Sequence, residues 1–398
     1  MPRLTARGLG LTTAAVILLI AAGASGLRPL AWPGGLLLGL VAAAALLTWR
    51  SARKPALRRS LAPDRVPAGL TVRATLELGR TSVNLGAWGF LEDTVPEGLG
   101  AGPMLPVPSG RGRLTSRHRY QLATVVRGRY RIGPSRWTTI DPLGLTTLQR
   151  RLGGLSLLTV TPAVHRLDQA APVVGAGLVG EAARQHSIVL GPDDVLIRDY
   201  RPRDELRRIH WPSTARTGKL MVRREEHAWE PSATILLDNR RAGHTGRGPR
   251  SSFEWAVSAA ASIGVHLLDA GYDIGLVDAG GQCLDADSET LRESLLDHLT
   301  DSTLTEAGDL DGALHTGVGG RAQLFIAIIG RLSVADAVAL TAARRHGALC
   351  RAIVLHPVEP GPDDPLEILV ANGWRVIPNA GLRSIADTWA ALGEGTGR

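Results

Sequence analysis

The chain has 398 residues, enough for two or three domains. Its formal charge of +8 rests largely on arginine, because Lys54 and Lys219 are the only lysines. The arginines are spread along the chain rather than clustered with aromatics on one face, which excludes a nucleic-acid surface, and two distant cysteines, Cys283 and Cys350, exclude a disulfide framework and a cysteine zinc site.

Residues Gly8 to Leu27 form an apolar run without a charge, and Pro29 to Trp49 form a second. Each has the ~20 residues that carry a helix across the hydrocarbon core. Only Arg28 separates them, so residues 1–50 read as two transmembrane α-helices in a hairpin. Arg3 and Arg7 precede the pair; Arg50, Arg53, Lys54, Arg58 and Arg59 follow it. Basic residues favour the cytoplasmic side, which predicts a plasma-membrane protein with both termini in the cytoplasm. A cleaved signal peptide is the competing reading of the first run, given its basic start and the small residues near Ala24. The second run would still anchor the chain.

Residues 51–64 read as a basic linker. From residue 65 to residue 165 the pattern predicts an antiparallel β-sandwich-like domain. Leu70 to Leu78 alternates apolar and polar residues, as a half-buried strand does. Trp88 to Leu91, Arg119 to Val126, Arg129 to Ile132, Ser135 to Ile140 and Leu155 to Val160 are further short strands, punctuated by Gly and Pro. Asp141-Pro142-Leu143-Gly144-Leu145 has turn chemistry, with the Asp141 carboxylate placed to accept backbone N–H bonds.

Residues 166–232 form an Arg-rich central segment. Arg198, Asp199, Tyr200, Asp204, Arg207, His210, Trp211 and Arg216 lie in its densest part. Asp204 is spaced to share a helix face with Arg207, and Pro212 would cut such a helix short. His210, Ser213 and Asp199 could suggest acyl transfer, but no G-x-S-x-G nucleophile turn is present. His210 has no second ligand at metal spacing. What remains is an ion-paired surface of planar Arg forks and carboxylates. It would serve either as a latch between domains or as a partner surface.

Residues 233–398 predict an α/β domain with a mainly parallel sheet. Ala233 to Asp238, Asp273 to Asp278, Ala322 to Gly330, Cys350 to Leu355 and Trp374 to Ile377 are apolar strands. Helices over Ser252 to Ala270, Glu289 to Leu299, Val334 to His346 and Arg383 to Leu392 separate or follow them. Such sheets are covered on both faces and bind ligands at the strands' carboxyl ends. Asp238 and Asp278 end the first two strands. The loop after the first strand lacks the G-x-x-x-x-G-K-[ST] phosphate cradle, so an ATPase reading fails.

Taken together, the hairpin, Arg127 to Pro134 (RGRYRIGP), Asp141 to Leu145 (DPLGL), the central RDYRPRDELRRIHWPSTARTGKLMVRREE and the ILLDNR opening of the α/β domain resemble the bacterial "domain of unknown function 58" family. The resemblance implies a von Willebrand factor A-like fold for the α/β domain. It also implies partnership with a MoxR-type AAA+ ATPase. The metal site of that fold uses D-x-S-x-S after the first strand. Here Asp238 keeps the first position, while Arg240 and Ala242 replace both serines. A positive charge in the ligand set predicts weak or no Mg²⁺ binding at this degenerate site, and no other cofactor is implied.

The expected function is a membrane-anchored, non-enzymatic adaptor or assembly factor working with such an ATPase. Its partners would be that ATPase and the lipid bilayer, with no nucleic acid and no small-molecule substrate. A component of a cell-envelope enzyme system and a structural membrane scaffold are the alternatives.

Overall fold

The computed structural model describes residues 2–51, 56–80, 88–107, 114–168, 196–199, 211–224, 231–284, 290–317, 323–343, 348–356 and 364–393. They fall in two units, Met1–Pro162 and Ala163–Arg398.

The first unit opens with helices Ala6–Ser25 and Ala31–Ser51, both long and apolar enough to cross a membrane. Thr5 caps the first, its Oγ1 accepting the Gly8 N–H at 3.2 Å, and Gly26 ends it at φ 69°. Thr12, Thr13, Ser25 and Thr48 donate their hydroxyls to carbonyls four residues back. Those polar side chains therefore need no water. Gly34 is small by necessity, since a Cβ there would stand 2.8 Å from Leu19 Cγ on the facing helix.

Three sheets follow. In spatial order, one holds Arg3–Leu4, Thr146–Leu152, Ser135–Ile140, Trp88–Glu92 and Met104–Val107. Another holds Ala56–Ala62, Thr71–Arg80 and Leu114–Ala123, and the last holds Arg65–Pro67, Ser156–Thr161 and Gly128–Ile132. All pairings are antiparallel except that of Arg65–Pro67 with Ser156–Thr161. The last sheet is thus mixed, and the expected antiparallel sandwich is visible only in part. Alternation in Thr71–Arg80 buries Val72, Ala74, Leu76 and Leu78 in turn. The first pair joins Leu122, Ile132, Leu158 and Val160; the second joins Leu91, Trp137 and Leu152.

Two expectations are corrected here. Residues 51–64 are not simply a linker, because Ala56–Ala62 is a strand paired along its length with Thr71–Arg80. Its Arg59 is not a free charge. The guanidinium is 3% exposed and meets Asp93 Oδ1 at 2.5 Å and Oδ2 at 3.1 Å. It also donates to the carbonyls of Ile132 and Gly154. Ser135 and Tyr120 donate their hydroxyls to the same Asp93 carboxylate. Burial first, and then the Asp93 carboxylate, push the Tyr120 phenol well above the usual tyrosine range, so it stays a donor. The second correction concerns the hairpin, which is not separate from the sheets: Arg3–Leu4 pairs with Thr146 and Thr147.

The second unit carries a five-stranded parallel sheet in the order Asp273–Asp278, Ser232–Leu237, Leu324–Ile329, Leu349–Val354, Arg375–Pro378. Helices Ser252–Asp269 and Ile385–Gly393 contribute to the apolar layer on one face, around Ile235, Leu237, Ile263 and Ile326. Val334–Ala343 and Pro365–Ala371 contribute to the layer on the other, around Leu236, Phe325, Ala327 and Val354. Both faces being covered explains why these strands read as unbroken apolar runs. Residues Leu196–Asp199 and Met221–Arg224 form a separate antiparallel pair in the same unit.

Candidate functional site

The sheet order reverses between Ser232–Leu237 and Leu324–Ile329. In open α/β sheets the crevice beyond that reversal, at the strands' carboxyl ends, is where ligands bind. Asp238 stands there, with its N–H still bonded to the Ile328 carbonyl at 2.9 Å. Its side chain is fully buried.

Arg240 turns back onto Asp238. Asp238 Oδ1 accepts the Arg240 backbone N–H at 3.0 Å and Nε–H at 2.9 Å. Oδ2 accepts Arg240 Nη2 at 3.1 Å and the Gly330 N–H at 3.1 Å. The remaining guanidinium nitrogen, Nη1, reaches both oxygens of Asp336, at 2.9 and 3.0 Å. Asp336 Oδ2 also accepts the Ser333 N–H and hydroxyl. Two buried carboxylates thus share one planar fork, which suits arginine and not lysine. Burial is the largest influence on Arg240 and opposes its charge. The two carboxylates more than offset it and raise its pKa above the ordinary arginine value.

A carboxylate offers about four acceptor positions, and those of Asp238 are taken by Arg240 and Gly330. A divalent cation at Asp238 would have to displace the guanidinium. The residues present do not fit the Mg²⁺ that the fold resemblance implies.

The surrounding loops hold this arrangement closed. A Cβ on Gly330 would stand 2.2 Å from the Gly243 carbonyl oxygen, and one on Gly243 would stand 3.0 Å from Asp238 Oδ2. Only glycine lets the two backbones meet here. Thr305 clamps the loop from a third side, its carbonyl accepting the Arg241 N–H and its N–H donating to the Asn239 carbonyl. Asp278, which ends the neighbouring strand, joins through Asn239, whose Nδ2 donates to Asp278 Oδ2 at 3.2 Å.

His244 sits under Asp238. Its Nε2 donates to the Asp238 carbonyl at 2.7 Å, and its Nδ1 lies 3.1 Å from Ser252 Oγ. A carbonyl can only accept, so Nε2 carries a proton. Burial lowers the His244 pKa below the usual histidine value, against the pull of Asp238. His356, 3.0 Å from Thr245 Oγ1, is lowered by burial and by His244 and Arg331. The crevice therefore combines two histidines whose charged form burial disfavours with the Asp238–Arg240–Asp336 ion-pair network.

Of the site residues expected from sequence, Asp238 lies at the centre of this network. Asp336 was not among them, although the S-x-x-D spacing of Ser333 and Asp336 signals it. Ser333 Oγ accepts the Asp336 N–H at 3.1 Å while Asp336 accepts the Ser333 N–H, a reciprocal helix cap.

The Arg-rich centre is described in part. Arg198 and Asp199 lie on Leu196–Asp199, opposite Val222 and Met221. Trp211 and Arg216 are exposed on the short helix Trp211–Thr217. Tyr200, Asp204, Arg207 and His210 lie outside the described residues. Pro212 lies in the first turn of this helix, where proline fits, and the helix expected before it falls outside the described residues. The strand Met221–Arg224 begins after Gly218 at φ 71° and the bond from the Met221 N–H to Thr214 Oγ1.

Residues 196–306 match the family described as "Protein of unknown function DUF58". The chain is also similar to "Uncharacterized protein YeaD" of Bacillus subtilis (strain 168), at 26% identity over 256 residues, which is 61% of this chain. It spans 58% of the length of that relative. The family match runs from the strand Leu196–Asp199 through Asp238, Arg240, His244 and Asp278 to Glu306, and stops short of Gly330 and Asp336. The chain is thus similar to the DUF58 proteins across the first half of the crevice network.

Proposed function

We propose that this chain is a membrane-anchored, non-enzymatic adaptor or assembly factor that works with a MoxR-type AAA+ ATPase. Its α/β unit is von Willebrand A-like, with the cation position given over to Arg240. The observation that carries the reading is the network at Asp238. The crevice where such a sheet takes a ligand is filled by the chain's own ion pairs, which favours a binding scaffold over a metal-dependent site.

The hairpin is the anchor, in the plasma membrane with both ends cytoplasmic. The pairing of Arg3–Leu4 with Thr146 and Thr147 supports that topology. Residues before the first span and after the second share one sheet, so they occupy the same side. The basic flanks favour the cytoplasm for that side. The exposed Trp211 and Arg216 are of the residue types that dominate protein interfaces, and they supply the partner surface.

The test is capture with the full chain in nanodiscs, under conditions that trap the ATPase in its ATP-bound state. The expected result is recovery of a MoxR-type ATPase that is lost with Trp211→Ala or Arg216→Glu at unchanged melting temperature. Recovery of no ATPase would remove the adaptor reading. An ATPase retained by both variants would move the partner surface elsewhere.

A further inference from the structure

The Asp141–Leu145 turn is fastened to the hairpin. Leu145 is 3% exposed and packs with Leu11, Val41 and Ala44. The Thr5 N–H donates to the Leu145 carbonyl at 2.9 Å, and the Thr5 hydroxyl to the Gly144 carbonyl at 2.6 Å. Thr48 and Thr146 share a hydroxyl bond at 2.7 Å. The approach is close enough that a Cβ on Gly8 would stand 2.1 Å from the Leu145 oxygen.

These contacts fix the depth of the turn. Leu11 is four residues beyond Arg7, about 6 Å along a helix, and Val41 is nine residues before Arg50, about 13 Å. Leu145 therefore sits on the apolar side of the charges that bracket the two runs. The direction agrees. Strand Arg3–Leu4 leads toward the first helix, and Thr146–Leu152 runs antiparallel to it. The turn before Thr146 thus projects on the helix side of the sheet edge.

Much of the turn's backbone is paired within it. The Asp141 carboxylate accepts the Leu143 N–H at 2.8 Å and both the N–H and hydroxyl of Thr146. The Asp141 carbonyl accepts the Gly144 N–H at 3.0 Å, and Pro142 has no N–H. Irregular backbone enters a low-dielectric layer only when its polar groups are paired in this way. Outward, the tip presents Pro142 and Leu143, the latter 52% exposed.

We infer that the Asp141–Leu145 turn is a membrane-dipping element. Leu143 and Pro142 insert into the boundary between headgroups and acyl chains beside the hairpin, and hold the sheets at the bilayer surface. This rests on the reading of the hairpin as membrane-spanning. The occupant is lipid because the turn is fastened to the hairpin through Leu11, Val41 and Ala44, and the outer surface of the same hairpin exposes apolar side chains such as Ile17 and Ile20.

The test places a nitroxide at one cysteine at a time in the full chain, with Cys283→Ser and Cys350→Ala as background, in nanodiscs of phosphatidylcholine and phosphatidylglycerol. The sites are Leu143→Cys, Ile17→Cys within the first helix, and Leu155→Cys beyond the far end of the strand that leaves the turn. Relative accessibility to oxygen and to a water-soluble nickel chelate gives depth. The label at position 17 should lie deepest, that at 143 roughly 5–10 Å below the phosphates, and that at 155 in water. A deep label at 17 with an aqueous one at 143 would overturn the turn proposal and leave the anchor standing. Aqueous labels at both would overturn the anchor as well. A label at 143 shielded from both reagents would mean protein contact instead of lipid, and would also overturn the proposal.

Discussion

Arg240→Ala should destabilise the α/β unit by about 3–5 kcal/mol, because it strands two buried carboxylates. For a unit of this size that is a fall in melting temperature of roughly 6–20 °C. The cost lies in the partners left behind. Asp238 and Asp336 are each at most 3% exposed at the side chain, so the lost fork leaves two buried charges without their counterion. Arg240→Lys should lose less than Arg240→Ala, since an ammonium keeps the charge without pairing both carboxylates in one plane. Thermal melts of the three proteins in the same nanodiscs check the order. A variant Arg240→Ala that melts like the native chain would mean the network is not holding the crevice.

Asp93→Asn should cost a similar amount, about 3–5 kcal/mol, in the first unit. The change keeps the shape of the side chain and removes the charge that Arg59 requires. Arg59 would then be a buried cation bonded only to neutral groups, and Tyr120 and Ser135 would compete for one amide oxygen. Proteolysis combined with melting separates the units. Cleavage should appear first within residues 56–162, with the α/β unit intact. Equal loss in both units, or no loss, would contradict the role given to this pair.

Some of this was legible in the sequence, and the physics explains which parts. The two apolar runs, the alternation in Leu70 to Leu78 and the continuous strands of the α/β unit each have a single strong period, and each forms. Ala56–Ala62 reads as linker because its inward face carries Arg59 between Leu57 and Leu61. A charge on the buried face hides a strand until its counterion is known, and Asp93 is thirty-four residues away. Thr146–Leu152 gives no clear strand signal for a related reason, since Gln149, Arg150 and Arg151 interrupt its buried Thr146, Leu148 and Leu152.

The candidate site was half legible. Arg240 is legible as a charge two residues past the strand-ending Asp238. Its direction is not, because only the fold brings Asp336, ninety-six residues on, within reach of the same fork. Asp141 shows the opposite case. The sequence marked it as a turn residue accepting backbone N–H bonds, and its carboxylate does accept those of Leu143 and Thr146. The use made of the turn, against Leu11, Val41 and Ala44, lies in the packing alone.

The central claim is that Arg240 holds the position a divalent cation would take. Calorimetric titration of Mg²⁺ into the full chain in nanodiscs tests it most directly, with Asp238→Asn as the comparison. The account predicts the same heats for both proteins, with no saturable binding up to millimolar Mg²⁺. Micromolar binding by the native chain that disappears in Asp238→Asn would contradict it.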